Sequence, residues 1–232
     1  MAELGWDGAP AGGDHLEAVF AAFRSSPGLH RLKPPATRDA LLKVEGSLGR
    51  ELPATLRRLY EFSDGMELFD GNLRLLPAVG DGPLRLLDYS EWLREAEWPI
   101  PQEVLMFGGD GSDELFGLWY PPEFSPDGPT PVIEIGSIFE PGCMAVSSTN
   151  LPSFLRAWSG YFLAMLGAPE AALVAIGLPR PLWTVDARHH AVAIRPYLAW
   201  ADPNLPHKTP DSYVDRLDVD GVRAMLAQAR NT

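Results

Sequence analysis

Cysteine is almost missing from this chain: its 232 residues hold one, Cys143. A lone thiol excludes an internal disulfide and points to a reducing, cytoplasmic setting. No apolar run reaches the roughly 20 residues that a membrane helix needs, so no membrane association is expected. The opening residues 1–17 lack the basic start and apolar stretch of a secretory signal. Positive charge is absent from one long stretch. No Lys, Arg or His occurs between Arg94 and Arg156, although the stretch holds ten acids: Glu95, Glu97, Glu103, Asp110, Asp113, Glu114, Glu123, Asp127, Glu134 and Glu140. The formal net charge is -12, while residues 1–94 carry only -3 and residues 156–232 carry +1. A surface of this kind repels nucleic acid and anionic lipid and attracts a cationic partner at long range. Acidity that serves solubility alone does not require such clustering.

What is present reads as one α+β domain with an extension. Residues 1–13 are Gly- and Ala-rich and are expected to be a flexible N-terminus. Asp14 starts a helix through about Arg24, with Leu16, Val19, Phe20 and Phe23 on one face. Thr37 starts a second, with Leu41, Leu42, Glu45 and Leu48 at helical spacing and Gly49 as its stop. Pro53 suits the first turn of a third, which buries Leu56, Leu59, Tyr60 and Phe62 and stops at Ser63-Asp64-Gly65. Leu73–Leu76 and Leu84–Leu87 read as strands. Asp88 to Glu97 reads as a helix with Trp92 and Leu93 inward. Val104–Phe107 and Glu114–Tyr120 flank a Gly- and Asp-rich hairpin turn. Val132–Ile135 and Met144–Ser147 add two strands, and Asn150 caps a long closing helix to about Leu166. Helices, then strands, then a helix is an α+β order. Residues 167–232 read as an irregular helical C-terminal extension, interrupted by prolines.

Sites for catalysis or metal do not emerge by spacing. The run from Asp110 has Leu115 and Pro121 where a calcium loop needs Gly and Glu. Gly109-Asp110-Gly111 begins like a dinucleotide loop but leads into a strand rather than a helix. His189 and His190 point about 100° apart on a helix and lack further ligands. Cys143 has no identifiable base and reads as a small buried hydrophobe. Ser159 is not in a nucleophile elbow and falls in mid-helix. A hydrolase built on Asp186, His189 or His190 is the weakest reading. The chain is therefore expected to be no enzyme and to need no cofactor or metal. Trp119 and Tyr120 lie beside acids, where aromatics serve as interface anchors. Alternation puts Leu115, Gly117 and Trp119 on one face and Phe116, Leu118 and Tyr120 on the other, and at least one set must be core.

One constellation resembles a known family. Glu51-Leu52-Pro53-Ala54-Thr55-Leu56, Leu59-Tyr60 and Phe62-Ser63-Asp64-Gly65 resemble the helix and turn signature of the SMI1/KNR4 (SUKH) superfamily, although Asp64 stands where Asn is common. Phe107 to Phe116 is similar to the family's central hairpin. Ile133–Gly136, Val146-Ser147-Ser148 and Phe154 to Trp158 are similar to its final strands and helix. The resemblance spans roughly residues 35–166 within a domain of residues 14–166, and residues 167–232 have no counterpart in the minimal domain. It implies a mixed, mainly antiparallel sheet with N-terminal helices and a long closing helix. It also implies function by protein binding: many bacterial members are immunity proteins that neutralise polymorphic or contact-dependent toxins. The expected function is capture of a cationic protein, such as a toxin domain, by an acidic sheet surface. The expected contact residues are Asp110, Asp113, Glu114, Trp119, Tyr120, Glu123, Asp127, Glu134 and Glu140. A regulatory or scaffold module without a toxin partner is the alternative, and nucleic acid is not an expected ligand.

Overall fold

The computed structural model describes residues 15–80, 84–96, 98, 100–111, 114–122, 125–128, 130–136, 144–165, 220–222 and 224. Helix α1 (His15–Ser25) buries Leu16, Val19, Phe20 and Phe23, one apolar stripe at helical spacing. Strand β1 (His30–Leu32) follows. The Thr37 side chain accepts the Ala40 N–H at 3.3 Å and opens α2 (Arg38–Leu48). Gly49, at φ 74°, closes it in the left-handed conformation that a side chain would resist. Helix α3 (Ala54–Phe62) starts behind Pro53 and buries Leu56, Leu59, Tyr60 and Phe62. The remaining elements are β2 (Met66–Leu68), β3 (Leu73–Leu75), α4 (Leu86–Glu95), β4 (Val104–Gly109), β5 (Leu115–Trp119), β6 (Val132–Ile135), β7 (Met144–Ser148) and α5 (Leu151–Met165).

The seven strands form one sheet in chain order, and every neighbouring pair is antiparallel. An α+β fold was expected, and this is one. Strand alternation sorts the sheet's side chains between two cores. Leu105, Phe107, Phe116, Leu118 and Val132 face one core with residues of α1, α2, α3 and α5. Val104, Met106, Trp119, Ile133, Ile135, Met144 and Val146 face the other, beneath Leu93 of α4. Val222 is fully buried in this second core, within the helical residues 220–222. Strands β4–β7 are therefore covered on both faces. Strands β1–β3 are covered on one, and Arg31, Glu67 and Arg74 stand on the open side.

Several expectations need correction. Leu84–Leu87 is not a strand: Arg85 is extended, and Leu86 begins α4. A four-residue apolar run cannot separate a strand from a helix start, and here Leu86, Ser90 and Leu93 bury one helical stripe. Trp92 does not face inward; it is 53% exposed, one residue and about 100° from buried Leu93. Leu42 is 49% exposed, and Val44 takes the inward position instead. Strands β1 and β2 were not anticipated, because three residues are too few to display an alternation.

Candidate functional site

The sheet register decides where the acids of the base-free stretch go. Arg74 pairs with Gly109 across β3 and β4, and Gly109 with Leu115 across β4 and β5. These pairings bring the β2–β3 turn and the β4–β5 turn to the same end of the sheet. Asp70, Asp110 and Glu114 thus share one end. The Glu114 N–H donates to Asp110 Oδ1 at 3.2 Å, and the Asp110 N–H donates to the Glu114 carbonyl at 3.0 Å. A Cβ added to Gly111 would sit 3.2 Å from the Gly71 carbonyl, so the two turns touch. Glu95, Glu103 and Asp127 lie beyond the other end of the hairpin, where the Tyr120 N–H donates to the Glu103 carbonyl at 2.8 Å. Strand β4 separates the two groups by six residues, about 20 Å.

The expected acidic sheet surface is not what these residues form. Glu134 is buried on β6 and accepts from the Ser147 hydroxyl at 3.2 Å. Trp119 is wholly buried in the second core. Tyr120 is 1% exposed: the Arg50 guanidinium lies over its ring at 4.0 Å, and its hydroxyl donates to the Glu51 carbonyl at 2.9 Å. Burial raises the Tyr120 pKa, and Arg50 pulls it back. Glu134 and Trp119 lose their surface role because the central strands are packed on both sides, and Tyr120, just past β5, loses it to the cover of Arg50 and Glu51. Asp127 is exposed, and Asp110 and Glu114 are half-buried. Asp113, Glu123 and Glu140, together with Cys143, Asp186, His189 and His190, lie outside the described residues. Ser159 is buried in mid-α5 and donates to the Leu155 carbonyl at 2.6 Å.

A second acidic surface escaped the sequence reading. Asp88, Glu91, Trp92 and Glu95 stand at i, i+3, i+4 and i+7 on α4, opposite its buried stripe. Glu91, Trp92 and Glu95 are exposed, and Asp88 is half-buried in an ion pair with Arg85. Tyr89 stacks against Trp92, with ring centroids 5.7 Å apart. Trp98, 37% exposed, follows the helix. Arg94 fixes the helix to the sheet by donating to the Pro101 carbonyl at 3.0 Å and the Val104 carbonyl at 2.8 Å. Burial lowers the Arg94 pKa, while Glu103 and Glu91 oppose the shift. The helical spacing of these acids around Trp92 was the available signal. Reading Trp92 as core concealed it.

Among the described residues, no group of three or more His, Cys, Asp or Glu side chains is arranged to hold a metal. Nor is any described helix long and apolar enough to cross a membrane. No curated protein matches the chain in sequence. The sequence pattern of the SMI1 / KNR4 family (SUKH-1) matches residues 35–157, more than half of the 232. That span runs from just ahead of α2 into α5, and the chain belongs to this family.

Proposed function

We propose that this chain is an immunity protein that binds and neutralises a toxin domain with a cationic surface. The observation that carries the reading is the family match over residues 35–157. The charge supports it: 31 acids against 19 bases steer a cationic partner. Two surfaces are proposed to make the contact. One is the α4 stripe, where Trp92 supplies an aromatic anchor between Glu91 and Glu95. The other is the hairpin turn with Asp110, Asp113 and Glu114; the exposed Asp127, at the opposite end of the sheet, adds to the long-range field and not to this contact. A nuclease or nucleotide-modifying toxin fits this chemistry, because its phosphate-binding cleft is basic.

The test is growth rescue. A candidate toxin domain with a cationic surface is expressed alone and together with the chain. Rescue by the wild type, lost in W92A/E91K/E95K or D110K/D113K/E114K, is the expected result. A bound partner whose activity persists at saturating amounts of the chain would overturn neutralisation and favour a regulatory or scaffold role.

A further inference from the structure

Strands β4–β7 turn one face toward the second core, where Met106, Trp119, Ile133, Ile135 and Met144 are wholly buried. A sheet face built of such side chains needs an apolar cover. Helix α4 supplies part of it with Leu93, and Ile100 follows from the chain behind the helix. Every described member of this core but one lies between Tyr89 and Val146, inside the family span of residues 35–157. The exception is Val222, wholly buried although it comes long after Met165, where α5 ends. Its neighbours fix how the segment lies. Asp220 and Ala224 are exposed, and Gly221 is half-buried. On a helix Asp220 and Ala224 share one side, and Val222 is about 200° from each. The segment therefore turns Val222 to the sheet and the opposite side to water. In the sequence, Val219, Met225 and Leu226 stand three or four positions from Val222, the spacing of one helical face.

We infer that the C-terminal segment carrying Val222 docks in cis on the second face of the sheet and belongs to the folding unit, which does not end at α5. The occupant of this face is the chain itself, because Val222 is sealed against residues of the family span. A segment tied to the same chain acts at a high effective concentration, so it holds with a smaller apolar face than a free partner needs. The domain expected to close at residue 166 thus takes a piece of the extension into its core. The family pattern stops at residue 157 and leaves this cover out, so the second core of this chain is completed from beyond the matched span.

The test is hydrogen exchange on the full chain, read by mass spectrometry. V222A keeps an apolar side chain and leaves a small gap, whereas V222D puts a carboxylate into the core. Exchange in α4, β6 and β7 is expected to rise about threefold or more in V222A and about tenfold or more in V222D, while α1 and α3, in the first core, keep their wild-type rates. A224D, on the outward side, is expected to match the wild type throughout. V222A carries the test where V222D fails to fold. The inference is overturned if V222A leaves α4, β6 and β7 at wild-type rates, or if it speeds exchange equally in both cores. It is also overturned if A224D acts as V222D does. A dimer in sedimentation that V222D converts to monomer would overturn it too, because the segment would then belong to a second copy. Growth rescue takes no part in this readout, so the inference and the toxin reading fail separately.

Discussion

Burial sets the charge of individual residues in the first core. His30 lies against Phe23 and Phe69, with ring centroids 5.0 and 4.8 Å away, and its Nδ1 accepts the Phe69 N–H at 3.3 Å. That bond requires an unprotonated Nδ1. Burial lowers the His30 pKa from 6.5 to about 4. The folded form therefore favours the neutral ring. Its contribution is complete above about pH 6.5 and declines as pH falls toward about 4, because the unfolded chain takes up the proton first. Wild type is expected to lose about 2 kcal/mol between pH 7.5 and 5.0 that H30Q does not lose, measured by urea unfolding. Equal pH dependence in the two proteins would remove His30 as the cause. Asp64 is the opposite case. Its Oδ1 accepts the N–H groups of Ala78 at 2.6 Å and Val79 at 3.3 Å, closing the α3 stop onto the chain beyond β3. Burial raises its pKa, opposed by those two N–H groups and by Lys33. Here protonation favours the fold, so stability is gained as pH falls through the folded pKa. D64N keeps the acceptor and drops the buried charge, whereas D64A leaves two N–H groups without it. D64A is expected to cost about 2 kcal/mol and D64N to stay within about 1 kcal/mol of wild type. A D64N loss as large as that of D64A would show that the charge, not the acceptor, holds the turn.

Among elements, the β3–β4–β5 seam joins the half-open part of the sheet to the fully covered part, and two glycines permit its close approach. A Cβ on Gly108 would lie 2.4 Å from the Arg74 carbonyl oxygen, a backbone atom. A Cβ on Gly117 would lie 2.3 Å from Val104 Cγ1 and 3.0 Å from Met106 Sδ, both side-chain atoms. G108A and G117A are each expected to destabilise by about 2 kcal/mol or more. Their rescue should differ. V104A makes room for G117A, so G117A/V104A should be more stable than the sum of its single variants; no side-chain truncation at 104 relieves G108A. Additive behaviour of G117A and V104A in denaturant melts would contradict that contact. These elements also mark how far sequence reading reaches. The hairpin was legible because glycines and aspartates separate two apolar runs, and α2 was legible because Thr37 and Gly49 bracket it. Strands β1 and β2 were not, since three residues ordered by their neighbours carry no pattern of their own. The interface aromatics were misjudged in both directions. Trp119 is sealed by packing on both sides of β5, Tyr120 is covered by Arg50 and Glu51, and Trp92 is turned outward by helical phase. Local alternation gives relative facing, but which faces are covered is a tertiary fact.

Across the whole molecule, the fold divides what the sequence concentrates. The base-free stretch supplies acids to both ends of the β4–β5 hairpin, and the exposed stripe of α4 adds Asp88 and Glu91. Steering and holding should therefore separate kinetically. Charges distributed over the surface act on encounter at distances up to the Debye length, about 10 Å at 0.1 M salt, whereas an aromatic anchor acts after contact. Stopped-flow binding to a toxin domain that passes the growth-rescue test should reveal two signatures. For wild type, the association rate is expected to fall about tenfold or more between roughly 50 and 300 mM NaCl, with little change in dissociation. D110K/E114K should lower the low-salt association rate and flatten its salt dependence, because it removes two acids and adds two bases at one end of the sheet. W92A should leave association nearly unchanged and speed dissociation, because it removes the anchor and no charge. A flat wild-type salt profile would contradict electrostatic capture altogether. Should D110K/E114K keep the full salt slope while E91K/E95K abolishes it, the partner would be steered to α4 alone, and the hairpin turn would lie outside its path.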